Sequence, residues 1–121
     1  MPTSKSILVV DDNGINRILP GLILRPFGWT VYEAESGVDA LEQLARLDLT
    51  CVLLDISMPE MSGLEVLDTV RKNKNLSKLK VFAYTAYASG DALHQLEARG
   101  FDAILIKPVT SQKLIHALHD H

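Results

Sequence analysis

The sequence predicts an α/β fold, a doubly wound parallel sheet of five strands with helices on both faces. Three observations predict it. Short apolar runs recur five times along 121 residues, stretches with apolar residues at helical spacing separate them, and the alternation is strict. In so short a chain this requires parallel strands joined by right-handed crossovers, because each apolar strand has to be covered on both faces.

The elements follow in order. "SILVV" at 6 to 10 is the first strand. The first helix covers about 14 to 27, but Pro20 and Gly21 lie inside "INRILPGLILRPFG". Proline removes a backbone donor and glycine adds chain entropy, so a kink or an early break is expected there. Gly28 stops this helix and "TVYEA" at 30 to 34 is the second strand. Ser36 stands as N-cap before "GVDALEQLARL", where Ala40, Leu41, Leu44 and Ala45 share one face. "CVLLD" at 51 to 55 is the third strand, and Leu64, Leu67 and Val70 line the helix after it. "KVFAY" at 80 to 84 is the fourth, followed by a helix with Ala92, Leu93 and Leu96 on one face, which Gly100 ends. "AILI" at 103 to 106 is the fifth, and Ser111 caps a last helix carrying Leu114, Ile115 and Leu118.

With 47% hydrophobic and 22% charged residues, residues 1–121 are expected to bury one core as a single domain. A net charge of −3 and the lack of a basic stripe give no reason for direct contact with nucleic acid or an anionic membrane. No apolar stretch approaches the roughly 20 residues of a membrane span. "MPTSKS" lacks the apolar core of a secretory signal, so a soluble, cytoplasmic protein is expected. Cys51, the single cysteine, reads as a small buried hydrophobe. His94, His116, His119 and His121 read as exposed, and Met58 and Met61 as gap fillers around Pro59.

The chemistry lies at the strand ends. Ligands of open parallel sheets bind in the crevice beyond the carboxyl ends of the strands, and Asp11, Asp12 and Asp55 all stand there. Three carboxylates in one mouth repel, so their pKa values rise or a cation neutralises them. An all-oxygen donor set favours a hard divalent ion, and Mg²⁺ commonly takes one or two carboxylates with waters and a phosphate oxygen. Thr85 follows the fourth strand and Lys107 the fifth, a hydroxyl and an ammonium suited to phosphoryl oxygens.

"VVDDN", "LLDISMPEMSG", "TA" after the fourth strand and "KP" after the fifth resemble the receiver domain of two-component response regulators, across essentially the whole chain. The resemblance, not the pattern, implies the flavodoxin-like strand order 2-1-3-4-5. It implies that Asp55 accepts a phosphoryl group from a phosphohistidine on a sensor histidine kinase or histidine phosphotransfer protein. Asp12 and Asp55 would ligate Mg²⁺ directly, with Mn²⁺ as a substitute, the Ser57 carbonyl as third protein ligand and Asp11 acting through water. Thr85 and Lys107 would bind the phosphoryl oxygens, Pro59 and Gly63 would shape the loop after the acceptor, and the Lys107–Pro108 bond would be cis. Phosphorylation would then shift the loops after strands three and four and so control a downstream protein.

One position departs from the family. Ile104 stands where receivers of this type usually carry Tyr or Phe, and Tyr84 or Tyr87 is expected to take over part of that role. Ser57 and Tyr87 occupy the positions that tune the lifetime of the phosphate, and the Tyr87 ring is expected to slow its loss. A competing class is an aspartyl phosphatase, which commonly needs a second acid two residues after the nucleophile, where this chain has Ser57. A degenerate receiver acting as a scaffold is a third, disfavoured by retention of all five site residues. Pairing of two copies through the fourth and fifth helices is left open.

Overall fold

The computed structural model describes residues 5–76, 78–86 and 89–120. Among them lie β1 (Ser6–Val10), α1 (Gly14–Leu24), β2 (Thr30–Ala34), α2 (Gly37–Leu44) and β3 (Cys51–Asp55). After these come α3 (Gly63–Lys72), β4 (Lys80–Thr85), α4 (Gly90–Arg99), β5 (Ala103–Ile106) and α5 (Ser111–Asp120). The strands form one parallel sheet in the order β2-β1-β3-β4-β5. Because β2 lies to one side of β1 and β3 to the other, the order of strand addition reverses between β1 and β3, which opens a crevice at their carboxyl ends.

Alternation along the strands builds two cores. Leu8, Val10, Val52, Leu54, Val81 and Ala83 face one layer, completed by α2, α3 and α4 through residues such as Leu44, Leu67 and Leu96. Ile7, Val9, Leu53, Phe82, Tyr84 and Leu105 face the other, closed by α1 and α5 through Leu24 and Leu114. Cys51 is buried in this second layer, where desolvation pushes its thiol up to about 12, so it packs as a neutral hydrophobe. At the amino-terminal end of β4, Arg71 of α3 donates to the Leu79 carbonyl at 2.8 Å and the Gly100 carbonyl at 3.0 Å, and pairs with Asp102 at 3.0 Å. Asp102 in turn accepts from the Val81 amide at 2.8 Å, so one ion pair fixes α3 against the amino-terminal ends of β4 and β5.

Three local expectations need correction. The first helix does not break at Pro20: α1 continues to Leu24, then tightens into a 3₁₀ turn over Arg25–Phe27 that ends at Gly28 with φ 89°. The last helix is capped by Thr110, whose hydroxyl accepts from the Lys113 amide at 3.2 Å, so Ser111 is its first residue and not its cap. Thr85 is the last residue of β4 instead of the first beyond it. Ser36 does cap α2, accepting from the Asp39 amide at 3.0 Å, and Gly100 ends α4 at φ 105°. Met58 is buried and Met61 packs beside it against the same core.

Candidate functional site

The crevice gathers residues from four strand ends. Asp11 follows β1 directly; its amide donates to the Ala34 carbonyl at 3.1 Å, and its Oδ1 accepts from the Asn13 amide at 2.9 Å. Asn13 also caps α1 by accepting from the Asn16 amide at 3.0 Å, so one short turn aims Asp11 inward and leaves Asp12 at the surface. Asp55 is the last residue of β3, and the register sets Leu54 against Val10 and Asp55 against Tyr84. Asp11 and Asp55 are 0% and 2% exposed. Ligand oxygens of Asp11, Asp12 and Asp55 lie within 4.8 Å of one another.

Lys107, just past β5, crosses the mouth. Its ammonium is 2.8 Å from Asp11 Oδ2 and 2.9 Å from Asp55 Oδ1, and its backbone amide donates to the Thr85 carbonyl at 2.8 Å. The Lys107–Pro108 bond is cis. The Ser57 amide donates to Asp55 Oδ1 at 3.3 Å, so both of these bonds fall on the same oxygen. Thr85 is buried, and with Ser57 it edges a cavity of about 460 Å³ between α3 and α4.

Burial raises the Asp55 carboxyl to about 6; the neighbouring charge of Asp11 adds to the rise, and Lys107 and the Ser57 amide only partly oppose it. Burial also acts against a charged Lys107, but two carboxylates outweigh it and its pKa rises. Both pKa values rise, with opposite consequences for charge, because one ammonium serves two buried acids: the lysine is held charged while Asp55 is pushed toward neutrality. When all are ionised, three carboxylates and one ammonium leave a formal charge of −2, which a divalent cation cancels. Asp11 Oδ2, fully buried, touches the ammonium without a well-directed hydrogen bond, so it retains a lone pair for a cation or its water. These donors fit Mg²⁺.

The loop after Asp55 is tightly drawn. The Met61 amide returns to the Pro59 carbonyl at 2.8 Å around Glu60 at φ 67°, a three-residue turn in a region that L residues enter at a cost. The Gly63 amide donates to the Ile56 carbonyl at 3.1 Å, which brings α3 down onto the backbone beside the acceptor.

All the residues expected from sequence at this mouth are there: Asp11, Asp12 and Asp55 as a cluster, Ser57 bonded to Asp55, Thr85 at the rim and Lys107 bridging. The expectation for Tyr84 is corrected. Ile104 pairs in register with Ala83 and packs against the α2–α3–α4 layer, whereas Tyr84 is one residue further and points into the α1–α5 layer, fully buried. A ring on the opposite face cannot replace an aromatic at Ile104, and period-two alternation carried that signal. Tyr87 lies outside the described residues, as does His121; His94, His116 and His119 are exposed. Arg17 was missed. Its Nε pairs with Glu33 at 3.1 Å and its Nη1 donates to the Asp11 carbonyl at 3.0 Å, fixing the turn that carries both acids.

Comparison with known proteins agrees with this geometry. Residues 7–119 match the family described as response regulator receiver domain. The chain is 28% identical over 118 residues to the polar-differentiation response regulator DivK of Brucella ovis, covering 98% of this chain and 96% of the relative. Among solved structures it is similar to the chemotaxis response regulator CheY4 of Vibrio cholerae, with a TM-score of 0.89, 25% identity and 98% of each chain covered. It is also similar to a CheY-like receiver domain protein from Methanospirillum hungatei, with a TM-score of 0.83, 29% identity and coverage of 98% and 93%. With its sheet order, its acidic crevice and a family match over nearly its whole length, the chain belongs to the response regulator receiver domain family, the phosphoacceptor switches of two-component signalling.

Proposed function

We propose that Asp55 accepts the phosphoryl group, in a Mg²⁺-dependent reaction, from a phosphohistidine on a sensor histidine kinase or a histidine phosphotransfer protein. The observation that carries this reading is a buried strand-end carboxylate held by Lys107 between further acids. Because Lys107 and the Ser57 amide both engage Oδ1, Oδ2 is the attacking oxygen. As it bonds to phosphorus in line, the phosphorus–nitrogen bond breaks and the imidazole leaves with the electron pair. The Lys107 ammonium and the Thr85 hydroxyl receive the equatorial oxygens. Asp12, Asp55 and the Ser57 carbonyl would hold Mg²⁺, or Mn²⁺ in its place, with Asp11 acting through water. Bound there, the dication offsets charge on the transferring group.

Partner contact is assigned to α1, which begins two residues beyond Asp12. Ile15, Ile18 and Leu22 are 79%, 46% and 66% exposed and share one helix face, an apolar stripe beside the mouth on which the phosphodonor would dock. The product, with about two negative charges, draws Thr85 and Lys107 inward. The α3–α4 cavity gives Thr85 and α4 room to follow, and a downstream protein reads that change. In this reading residues 1–121 act as one receiver unit in the cytoplasm, assisting their own phosphorylation instead of turning over a substrate. No helix among the described residues is long and apolar enough to cross a membrane.

Incubation with acetyl phosphate and Mg²⁺, followed by intact-mass measurement, tests this. The native protein is expected to gain and hold one phosphoryl group, and to gain none in EDTA. Many equivalents of released phosphate with no retained adduct would mark a hydrolase and overturn the reading.

A further inference from the structure

We infer that Tyr84 is a positioning residue for this chemistry: its ring is the floor under the Lys107 ammonium, and its hydroxyl ties that floor to α1 through the Asn16 carbonyl. The inference rests on the reading of Asp55 and Lys107 given above. Lys107 Nζ lies 5.0 Å from the centroid of the Tyr84 ring, within cation–π range, while Asp11 and Asp55 hold the same nitrogen at 2.8 and 2.9 Å. The ring is fixed in turn. A buried phenol needs a partner for its hydroxyl, and here the hydroxyl donates to the Asn16 carbonyl at 3.2 Å, across 68 positions of sequence.

That carbonyl is short of a donor for a covalent reason. In an α-helix the carbonyl of residue 16 accepts from the amide of residue 20, and residue 20 is proline, which has none. Tyr84 therefore supplies the bond that Pro20 withholds, which also explains why α1 runs on past the proline. Burial and the charge of Asp11 push the phenol up to about 12, so the hydroxyl remains a donor at neutral pH. The ring beneath the ammonium is thus tied to α1.

Three measurements test this. In metal-free protein, the ε-methylene protons of Lys107 are expected to be shifted upfield by the ring in the native protein and in Tyr84→Phe, and to return toward the free-lysine position in Tyr84→Met. With acetyl phosphate and saturating Mg²⁺, Tyr84→Met is expected to lower the maximal phosphorylation rate about fivefold at unchanged KM, with Tyr84→Phe recovering most of the loss. Tyr84→Phe is expected to lower Tm by about 4 °C, and by less than half of that in a Pro20→Ala background, where the helix regains its own amide for Asn16. Lys107 resonances alike in native and Tyr84→Met, a Tyr84→Met rate equal to native, or an equal Tm loss in both backgrounds would overturn the inference. If Tyr84→Met does not fold, the cycle between Tyr84→Phe and Pro20→Ala decides alone. Phosphoryl uptake persisting in Asp55→Asn would instead sink the underlying reading of the site, which the Tm cycle does not depend on.

Discussion

Asp55→Asn is expected to abolish phosphoryl uptake and, in metal-free protein, to raise stability at the same time. The Asp55 carboxyl, ordinarily near 3.8, is lifted by burial to about 6. A carboxyl with a raised folded pKa binds its proton more tightly in the folded chain. Its contribution is therefore most favourable below about pH 4, declines as pH climbs from about 4 to about 6, and is flat above. At neutral pH the ionised group opposes folding by on the order of 2 kcal/mol. Asparagine keeps an acceptor for Lys107 while removing the charge that faces Asp11. The metal-free variant should thus melt about 5 °C above the native protein at pH 7, with the gap closing toward pH 4. Mg²⁺ reverses the ranking: at a hundred times its dissociation constant it stabilises native protein by about 2.7 kcal/mol, and the variant, lacking a ligand, gains less. Melting curves at pH 4 and pH 7, with EDTA or Mg²⁺, check this; a variant less stable than native in EDTA at pH 7 contradicts it.

Gly63→Ala is expected to be the most damaging single methyl in the molecule. A Cβ at this position would overlap the Asp55 carbonyl oxygen and lie 2.9 Å from Ile56 Cα and 3.0 Å from the Asp55 carbonyl carbon. All three are backbone atoms of the strand end that carries the acceptor, so no side-chain rotation relieves the clash. Either α3 withdraws, losing the Gly63 amide bond to the Ile56 carbonyl, or Asp55 is displaced from the cluster. A loss of about 3 kcal/mol is expected from overpacking and the broken bond, together with weakened Mg²⁺ binding. Urea unfolding and calorimetric Mg²⁺ titration measure both. A midpoint and an affinity equal to native would show that the contact is not close.

These two residues also show what a sequence can reveal. β1 and β3 are buried along their whole length, so they appear as uninterrupted apolar runs, and the acids that end them stand out. Strand ends converge by topology, which is why residues 11, 12, 55, 85 and 107 could be assembled without coordinates. Gly63 was legible as a close approach only through the family resemblance, because the atoms that crowd it are backbone. Pro20 misled for the opposite reason: locally it forbids a helical bond, and the hydroxyl that compensates arrives from β4. Arg17 and Arg71 were illegible because each joins carbonyls and acids of separate elements, a pairing fixed only once the sheet order is known. Thr110 and Ser111 are both capping residues, and the choice between them depends on where the backbone turns after Pro108.

On this reading, clustered carboxylates at the β1–β3 crevice share one divalent cation and present Asp55 to a phosphoryl group. Crystals grown with Mg²⁺ and beryllofluoride, a stable mimic of the phosphoryl group, test it most directly. The expected result is a beryllofluoride adduct on Asp55, a magnesium ion held by Asp12, Asp55 and the Ser57 carbonyl, and Lys107 and Thr85 turned onto the fluorides. Empty density at Asp55, or the adduct seated on another side chain, would contradict it.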